Sequence, residues 1–337
     1  MKITTIGLDI AKNVFHLVGC DIHGKQVMRK RLRRNQVLTY FAQLSPCLIG
    51  IEACASAHHW ARELTKQGHK VCLIAPQHVK PYVSGNKNDY NDAAGIAEAV
   101  TRPKIRFVSI KSEEQQDIQA MHRLRENQVS VRTKLCNQLR GLLGEYGIVI
   151  PKGVNVIRKR IPEILENGEN GLSSLFREML WESYQQLLSL NEHIEYFDQK
   201  IKTYSQQNEA CRRLQSIPGF GPVVASVFLS YVGNGKNYGR GRDVSASLGL
   251  VPRQHSSGGK NVLLGISKRG DRYLRSLLIH GARSVVRRAA DKSDRLSRWI
   301  NRIRAERGHN KAAVALANKM ARMGWAVLRN KTVYQFA

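Results

Sequence analysis

The sequence predicts a mixed α/β domain at the N-terminus, a helical coiled-coil spacer, and a mainly α, basic domain at the C-terminus. Three observations carry that reading. Short apolar runs in residues 3–75 follow the order β-β-β-α-β-α-β. Apolar residues between 180 and 204 recur at steps of three and four. The last quarter of the chain sets arginine on helical apolar patterns. A chain of 337 residues has room for more than one core, and the boundaries are drawn at 1–108, 109–210 and 211–337.

The first domain is read from its alternation. Residues 3–9, 13–20 and 25–32 are three successive strands, the last two joined by the turn Asp21-Ile22-His23-Gly24, which suits a hairpin. Residues 35–44 place Val37, Leu38, Phe41 and Leu44 on one helical face. An apolar strand at 47–53, a helix at 57–67 ending at Gly68, and a buried strand at 70–75 stopped by Pro76 complete the set. Three antiparallel strands followed by parallel additions through helical crossovers is the ribonuclease H-like order.

Two of these strands carry a carboxylate. Asp9 interrupts the run Ile6–Ile10, and Glu52 ends the fourth strand. A buried carboxylate costs several kcal/mol unless it is paired or binds a metal. In this strand order Asp9 and Glu52 are neighbours. Asp89 and Asp92, in Lys87-Asn88-Asp89-Tyr90-Asn91-Asp92-Ala93, open a helix over 92–100 and share one face of its first turn. Taken alone, Asp9 reads equally well as a strand-end residue held by backbone N–H groups, and Asp89 as an N-cap. Four converging carboxylates without basic partners fit divalent cations, and two Mg²⁺ ions can activate a nucleophile and stabilise the leaving oxygen of a phosphate.

The stretches Gly7-Leu8-Asp9-Ile10-Ala11-Lys12, 51–60 and 87–93 closely resemble the DEDD transposases of bacterial insertion sequences, the insertion sequence 110/1111 group, whose N-terminal domain is similar to the RuvC Holliday-junction resolvase. The resemblance implies that Asp9, Glu52, Asp89 and Asp92 are the acidic catalytic and metal-holding residues, with Mg²⁺ as cofactor. His58 and His59 follow Glu52 and suit capping or packing better than phosphate contact. Arg29, Lys30, Arg31, Arg33 and Arg34 could track a phosphate backbone or form a solvated strand edge.

Residues 111–145 are polar and helix-favouring, with Ile118, Met121, Leu124, Leu135, Leu139 and Leu142 at helical intervals. Leu180, Tyr184, Leu187, Leu190, Ile194, Phe197, Ile201 and Tyr204 form a seam of about three heptads. That seam can pack on helix 111–145 of the same chain or on a second protomer. The resemblance implies coiled-coil-linked dimers that pair into tetramers.

In the last third, Pro218-Gly219-Phe220-Gly221 separates two apolar helices and resembles a helix-hairpin-helix element. Gly219 and Gly221 would then let backbone N–H groups approach a phosphate; the alternative is a packing corner. Residues 245–260 are rich in serine and glycine and read as a flexible loop. Arg253, Lys260, Lys268, Arg269, Arg272 and Arg275 surround it in sequence, and such cations suit the charge that builds when a serine attacks phosphate. The region also resembles the C-terminal domain of the same family, whose nucleophilic serine matches Ser257, with Ser256 adjacent. No G-x-S-x-G elbow is present.

The charge points the same way. The chain holds 54 Lys+Arg against 26 Asp+Glu, a net of +28, and residues 251–337 hold 20 Lys+Arg against 4 Asp+Glu. That field recruits polyanions. No apolar run nears the ~20 residues of a membrane span, and Asp9 and Lys12 interrupt any signal-peptide pattern at the start. The six cysteines show no C-x-x-C or zinc spacing and read as reduced core thiols. The expectation is a cytoplasmic, nucleoid-associated transposase or site-specific recombinase that exchanges DNA strands through a serine–DNA intermediate. The resemblance adds a structured guide RNA as partner and the completion of one protomer's acidic site by another's serine. A hydrolytic, resolvase-like nuclease is the alternative, and a non-enzymatic nucleic-acid scaffold the third reading.

Overall fold

A computed structural model describes residues 2–86 and 88–335. Lys87 of the acidic motif and the final two residues of the C-terminal domain lie outside the described residues. The chain folds as two compact units, Met1–Ser112 and Glu113–Ala337.

In the first unit, β1 (Thr5–Ile10), β2 (Val14–Cys20) and β3 (Gln26–Arg33) are antiparallel. A 3-10 turn leads into α1 (Val37–Ala42), then β4 (Leu48–Glu52) runs parallel to β1. After α2 (Ala57–Lys66), β5 (Lys70–Ile74) runs parallel to β4, and α3 (Pro76–Val79) and α4 (Asp89–Ala99) follow. The sheet order is β3-β2-β1-β4-β5, as the alternation predicts.

The two faces of this sheet are built differently. Ile6, Leu8, Phe15, Leu17, Ile49 and Ile51 are fully buried with Phe41, Ala61, Leu64 and Trp60. Each such large side chain contributes about 1.5–3 kcal/mol on burial, so this face supplies the stability. The other face is covered by α4, and there β1 and β4 present Gly7 and Gly50. A methyl group on Gly7 would run into Ala93 O and stand 2.5 Å from Ala97 N. On Gly50 it would meet Val100 Cβ at 2.9 Å. The two glycines thus let α4 lie on the strand backbones.

Among the described residues the second unit is helical apart from one hairpin. Its elements are α5 (Glu113–Gly144), α6 (Val154–Glu166), α7 (Ser174–Gln207), α8 (Glu209–Gln215), α9 (Pro222–Val232), α10 (Gly241–Ser247), β6 (Pro252–Ser257), β7 (Lys260–Ile266), α11 (Arg272–Arg287), α12 (Arg295–Arg307) and α13 (His309–Asn330). Side-chain caps start several of them: Ser173, Asn208, Asp271 and Asp294 each accept a backbone N–H of the following turn.

The seam of α7 is spent inside the chain. Leu180, Leu187, Leu190, Ile194 and Ile201 are buried, and α7 packs along α5 and against α9. Arg125 holds Asp198 through Nε at 2.5 Å and Nη2 at 3.3 Å, and Arg132 Nη1 donates to Asn191 Oδ1 at 2.9 Å. The intrachain helix pair is therefore the arrangement found, and the seam does not by itself supply a two-chain coiled coil. Three-and-four spacing records which face is buried, not whose chain buries it.

His122 ties α5 to the C-terminal helices. Its ring nitrogens lie 2.9 Å from Ser226 Oγ on α9 and 3.2 Å from Tyr273 Oη on α11. Burial, then the Arg125 charge, pushes its pKa down to about 4. The folded ring stays neutral while the unfolded one gains a proton below its ordinary value near 6.5. Stability is therefore full above about pH 6.5 and falls as pH drops toward 4, by up to about 3 kcal/mol at the lower end. Urea unfolding of the wild type should show this slope, and His122→Gln should flatten it while lowering stability at pH 7.

Candidate active site

Asp9 and Glu52 lie on the glycine face of the first sheet, and Asp89 and Asp92 open the helix that covers it. β1 and β4 pair in parallel with Gly7 opposite Gly50 and Leu8 opposite Ile51. The next residues along, Asp9 and Glu52, therefore stand side by side. Strand residues alternate faces, so both project to the side of Gly7 and Gly50, where α4 lies. Asp89 and Asp92 occupy the first turn of that helix. The helix begins at Asp89, three residues earlier than the sequence suggests, because Asn88 is the N-cap: its Oδ1 accepts the Tyr90 N–H at 2.9 Å. Asp89 is thereby freed from capping.

The electrostatics record the convergence. The Asp9 pKa is raised to about 6, first by burial and then by the charges of Asp92, Asp89 and Glu52. Glu52 is raised too, by burial and then by Asp92. The Cys54 thiol just beyond it is pushed up by burial and by Glu52 and Asp9.

Among the described residues no three His, Cys, Asp or Glu side chains are gathered tightly enough to form a ready metal site. The donor chemistry nevertheless fits a hard divalent cation. All four groups are carboxylates, and burial, with the charges of Asp92, Asp89 and Glu52 added to it, raises the Asp9 pKa above the usual aspartate value. A cation would offset those charges.

Sequence reasoning passed over His16 and the two glycines. Asp9 faces His16 across β1–β2, and His16 faces Arg31 across β2–β3. Glu52, Asp9, His16 and Arg31 thus form a row over four strands. His16 Nδ1 is 3.3 Å from Asp89 Oδ2, without the alignment of a hydrogen bond, and its ring meets Tyr90 edge-on. The signal was available, since His16 is the polar position between inward Phe15 and Leu17. Arg29, Arg31 and Arg33 line the carboxylate face of β3, and Lys30 the other. Arg34 and Trp60 stack at 5.1 Å, beside His59 in a shallow pocket of about 590 Å³. His58 Nδ1 accepts the Lys111 N–H at 3.3 Å, a packing role.

In the second unit the predicted serine loop is a β-hairpin. β6 and β7 pair antiparallel with Ser257 opposite Lys260 and Ser256 opposite Asn261. Gly258 and Gly259 turn the chain with φ of 55° and 77°, the pattern of a two-residue hairpin turn. Ser256 shares a face with Gln254, whose Nε2 donates to its Oγ at 2.9 Å. Ser257 stands on the opposite face with His255 and Lys260. Both strands are exposed, apart from half-buried Ile266.

The cations near the hairpin divide. Arg253, Lys260, Lys268, Arg269 and Arg272 are exposed. Arg275 is buried, and its Nη1 donates to Leu248 O at 3.1 Å and Arg269 O at 3.0 Å. It fastens the loop onto α11, so its guanidinium is spent on the fold. The glycines at the start of α9 divide as well. Gly219, at φ 88°, faces Met320 Cε and Gly281 O, which a methyl would meet at 2.8 and 2.9 Å, so close helix packing explains it. Gly221 opens to free space, next to a cavity of about 310 Å³ that Pro218, Gly219 and Phe220 line together with Arg288 and Lys292.

Because the folded Asp9 pKa lies above its ordinary value, its ionisation opposes folding as pH rises from about 4 through 6. In metal-free protein Asp9→Asn should therefore raise the melting temperature above pH 6 and change it little near pH 4. Differential scanning calorimetry at both pH values checks this, and a destabilised Asn variant at pH 7 would contradict it.

Both parts of the chain match known transposase families. A transposase model for the DEDD proteins of insertion sequence IS110 matches residues 6–148, the stretch that holds all four carboxylates. The model of the transposase IS116/IS110/IS902 family matches residues 211–297, which include the hairpin. A probable family 20 transposase of Pseudomonas aeruginosa is 46% identical over 336 residues, covering 99% of each chain. The transposase of insertion sequence element IS1111A from Coxiella burnetii is 45% identical, covering 99% of this chain and 92% of its own. That of IS1328 from Yersinia enterocolitica is 42% identical over 99% of both. The family implies DNA as the substrate and suggests a divalent metal. With both halves matched and relatives aligned end to end, the chain belongs to the IS116/IS110/IS902 family of insertion-sequence transposases.

Proposed function

We propose that this transposase exchanges DNA strands by phosphoryl transfer through a covalent serine–DNA intermediate. The observation that carries the proposal is the Glu52–Asp9 pair beneath the first turn of α4, where Asp89 and Asp92 bear on Asp9. Four acids of one sign need a positively charged reactant or cofactor between them and a phosphate. A divalent cation held by Asp9, Glu52, Asp89 and Asp92, assigned here as Mg²⁺, would supply that charge and lower the pKa of an attacking hydroxyl.

In the proposed step Ser257 Oγ forms a bond to phosphorus, and one P–O bond to deoxyribose breaks. The serine proton passes to a base, and the departing sugar oxygen takes one up. Attack by a second sugar hydroxyl then restores the diester and frees Ser257, so no external energy source is required. Support for the serine is its exposed place beside the hairpin turn, with Lys260 opposite and Arg253 on the same strand. Of the neighbouring pair, Ser256 is engaged by Gln254, which favours Ser257. Arg31, Arg33 and Arg34 on the first unit, and Lys268, Arg269, Arg272 and Gly221 on the second, are assigned to nucleic-acid contact.

Three further parts rest on the family resemblance. A structured guide RNA pairs with both DNA partners. The chains act as dimers or tetramers, and exposed Met179 and Trp181 on α7 (50% and 53% accessible) offer apolar surface for that. One protomer's serine completes another's acids, which fits their location in separate compact units. We draw a functional boundary near residue 210, where the core of α5–α7 gives way to the core that starts at Cys211. The absence, among the described residues, of any helix long and apolar enough to cross a membrane is compatible with action in the cytoplasm. A hydrolytic nuclease is the second reading, favoured by one fact: all four acids belong to the first unit, whereas Ser257 does not.

Covalent capture separates the readings. Protein, co-expressed RNA, labelled junction DNA and Mg²⁺ are stopped in detergent and resolved on a denaturing gel. A protein–DNA band should form and vanish in Ser257→Ala and in Asp9→Asn, with strand exchange falling roughly 10³-fold or more. Free cut DNA that is insensitive to Ser257→Ala would establish hydrolysis instead.

A further inference from the structure

A groove of about 1120 Å³ lies between β7 and the helices α12 and α13, and no role proposed above uses it. Its lining combines two chemistries. Leu264, Ile266, Trp299 and Ile303 make an apolar floor. Arg302, Arg307, Lys311, Lys319 and Arg322 line it with five positive charges, against the single carboxylate of Glu306. The sequence places these side chains together by helical spacing. Trp299, Arg302, Ile303, Glu306 and Arg307 share one face of α12. Lys311, Ala315, Lys319 and Arg322 do so on α13. The Lys319 ammonium lies over the Trp299 ring, 4.6 Å from its centroid. Lys319 thus covers one face of the half-buried ring, and the cation that draws a phosphate stands next to the exposed remainder of the ring and the apolar side chains of β7 that take a base.

We propose that this groove binds single-stranded nucleic acid, with phosphates on the rim cations and unpaired bases against Trp299 and the apolar floor. Charge complementarity selects a polyanion. The apolar floor selects the form: a duplex offers phosphates and keeps its base faces stacked inside, whereas an unpaired strand offers faces that gain from an aromatic platform. β7 is the return strand of the hairpin that carries Ser257, so a strand held here lies at the base of that hairpin. The proposal rests on the chain acting on nucleic acid, and on neither the serine nor the metal.

The test uses the full-length chain and fluorescence anisotropy with short single-stranded DNA, single-stranded RNA and duplex DNA of one sequence. Trp299→Ala should weaken single-strand binding by about tenfold and leave duplex binding within about twofold. Trp299→Phe should restore most of the loss. Glu306→Gln, at an exposed position, should tighten the single strand, and Arg307→Ala should loosen it; neither touches the core, so both report even if the alanine at 299 does not fold. The tighter of the two single strands identifies DNA or RNA as the occupant. Equal losses on duplex and single strand would overturn the proposal. So would unchanged single-strand affinity with altered sedimentation of Trp299→Ala, which would make the groove a contact between copies of the chain.

Discussion

Everything proposed for the first unit depends on how closely α4 lies on the sheet. A helix normally stands off a sheet by the length of the side chains between them. Here Gly7 and Gly50 remove those side chains at adjacent positions, and Ala93 and Ala97 keep the helix side small. The same face of β1 and β4 then carries Asp9 and Glu52 two residues further on. One packing device therefore decides both where α4 lies and how near its first-turn carboxylates come to the strand carboxylates. The cost appears as the raised Asp9 pKa. The large buried side chains on the opposite face of the sheet offset it. Stability and chemistry are assigned to opposite faces of the same strands.

The second unit solves a different problem. It displays a serine on an exposed two-stranded ribbon that rises from a dense helical core. An isolated hairpin is marginal in water, so its base must be fastened. Ser267 N–H donates to Val251 O at 2.8 Å, Lys268 N–H donates to Gly249 O at 3.1 Å, and Arg275 clamps the carbonyls of Leu248 and Arg269. Gly249 and Gly270, both at positive φ, sit where a methyl would collide with the facing loop. A fastened base with an exposed tip is compatible with the nucleophilic role proposed for Ser257.

Much of this was legible in the sequence because it follows from periodicity. The five-strand order emerges from alternation, and the strand pairing brings Asp9 beside Glu52; the assignment of all four acids to one site rests on the family resemblance. What was not legible depends on contacts far apart in sequence. The start of α4 was displaced because Asn88, not Asp89, is the cap. Pro252–Ser257 has little β propensity, so the hairpin read as a loop even though Gly258-Gly259 is a hairpin turn sequence. Arg275 looked like another DNA contact, since nothing local reveals that loop carbonyls 6 and 27 residues away claim it. The α7 seam showed which face is buried without showing that α5 and α9 bury it. His16 becomes visible only once the β1–β2 register is fixed.

The central claim is that the approach of α4 at Gly7 assembles a carboxylate site for a divalent cation. Mn²⁺ binding to the full-length chain, followed by isothermal titration calorimetry at pH 7, tests it most directly when wild type is compared with Gly7→Ala and Asp92→Asn. The account predicts that wild type binds Mn²⁺, that Asp92→Asn loses most of that affinity, and that Gly7→Ala loses it comparably while its far-UV circular dichroism stays close to wild type. A folded Gly7→Ala chain that binds Mn²⁺ as tightly as wild type would contradict it.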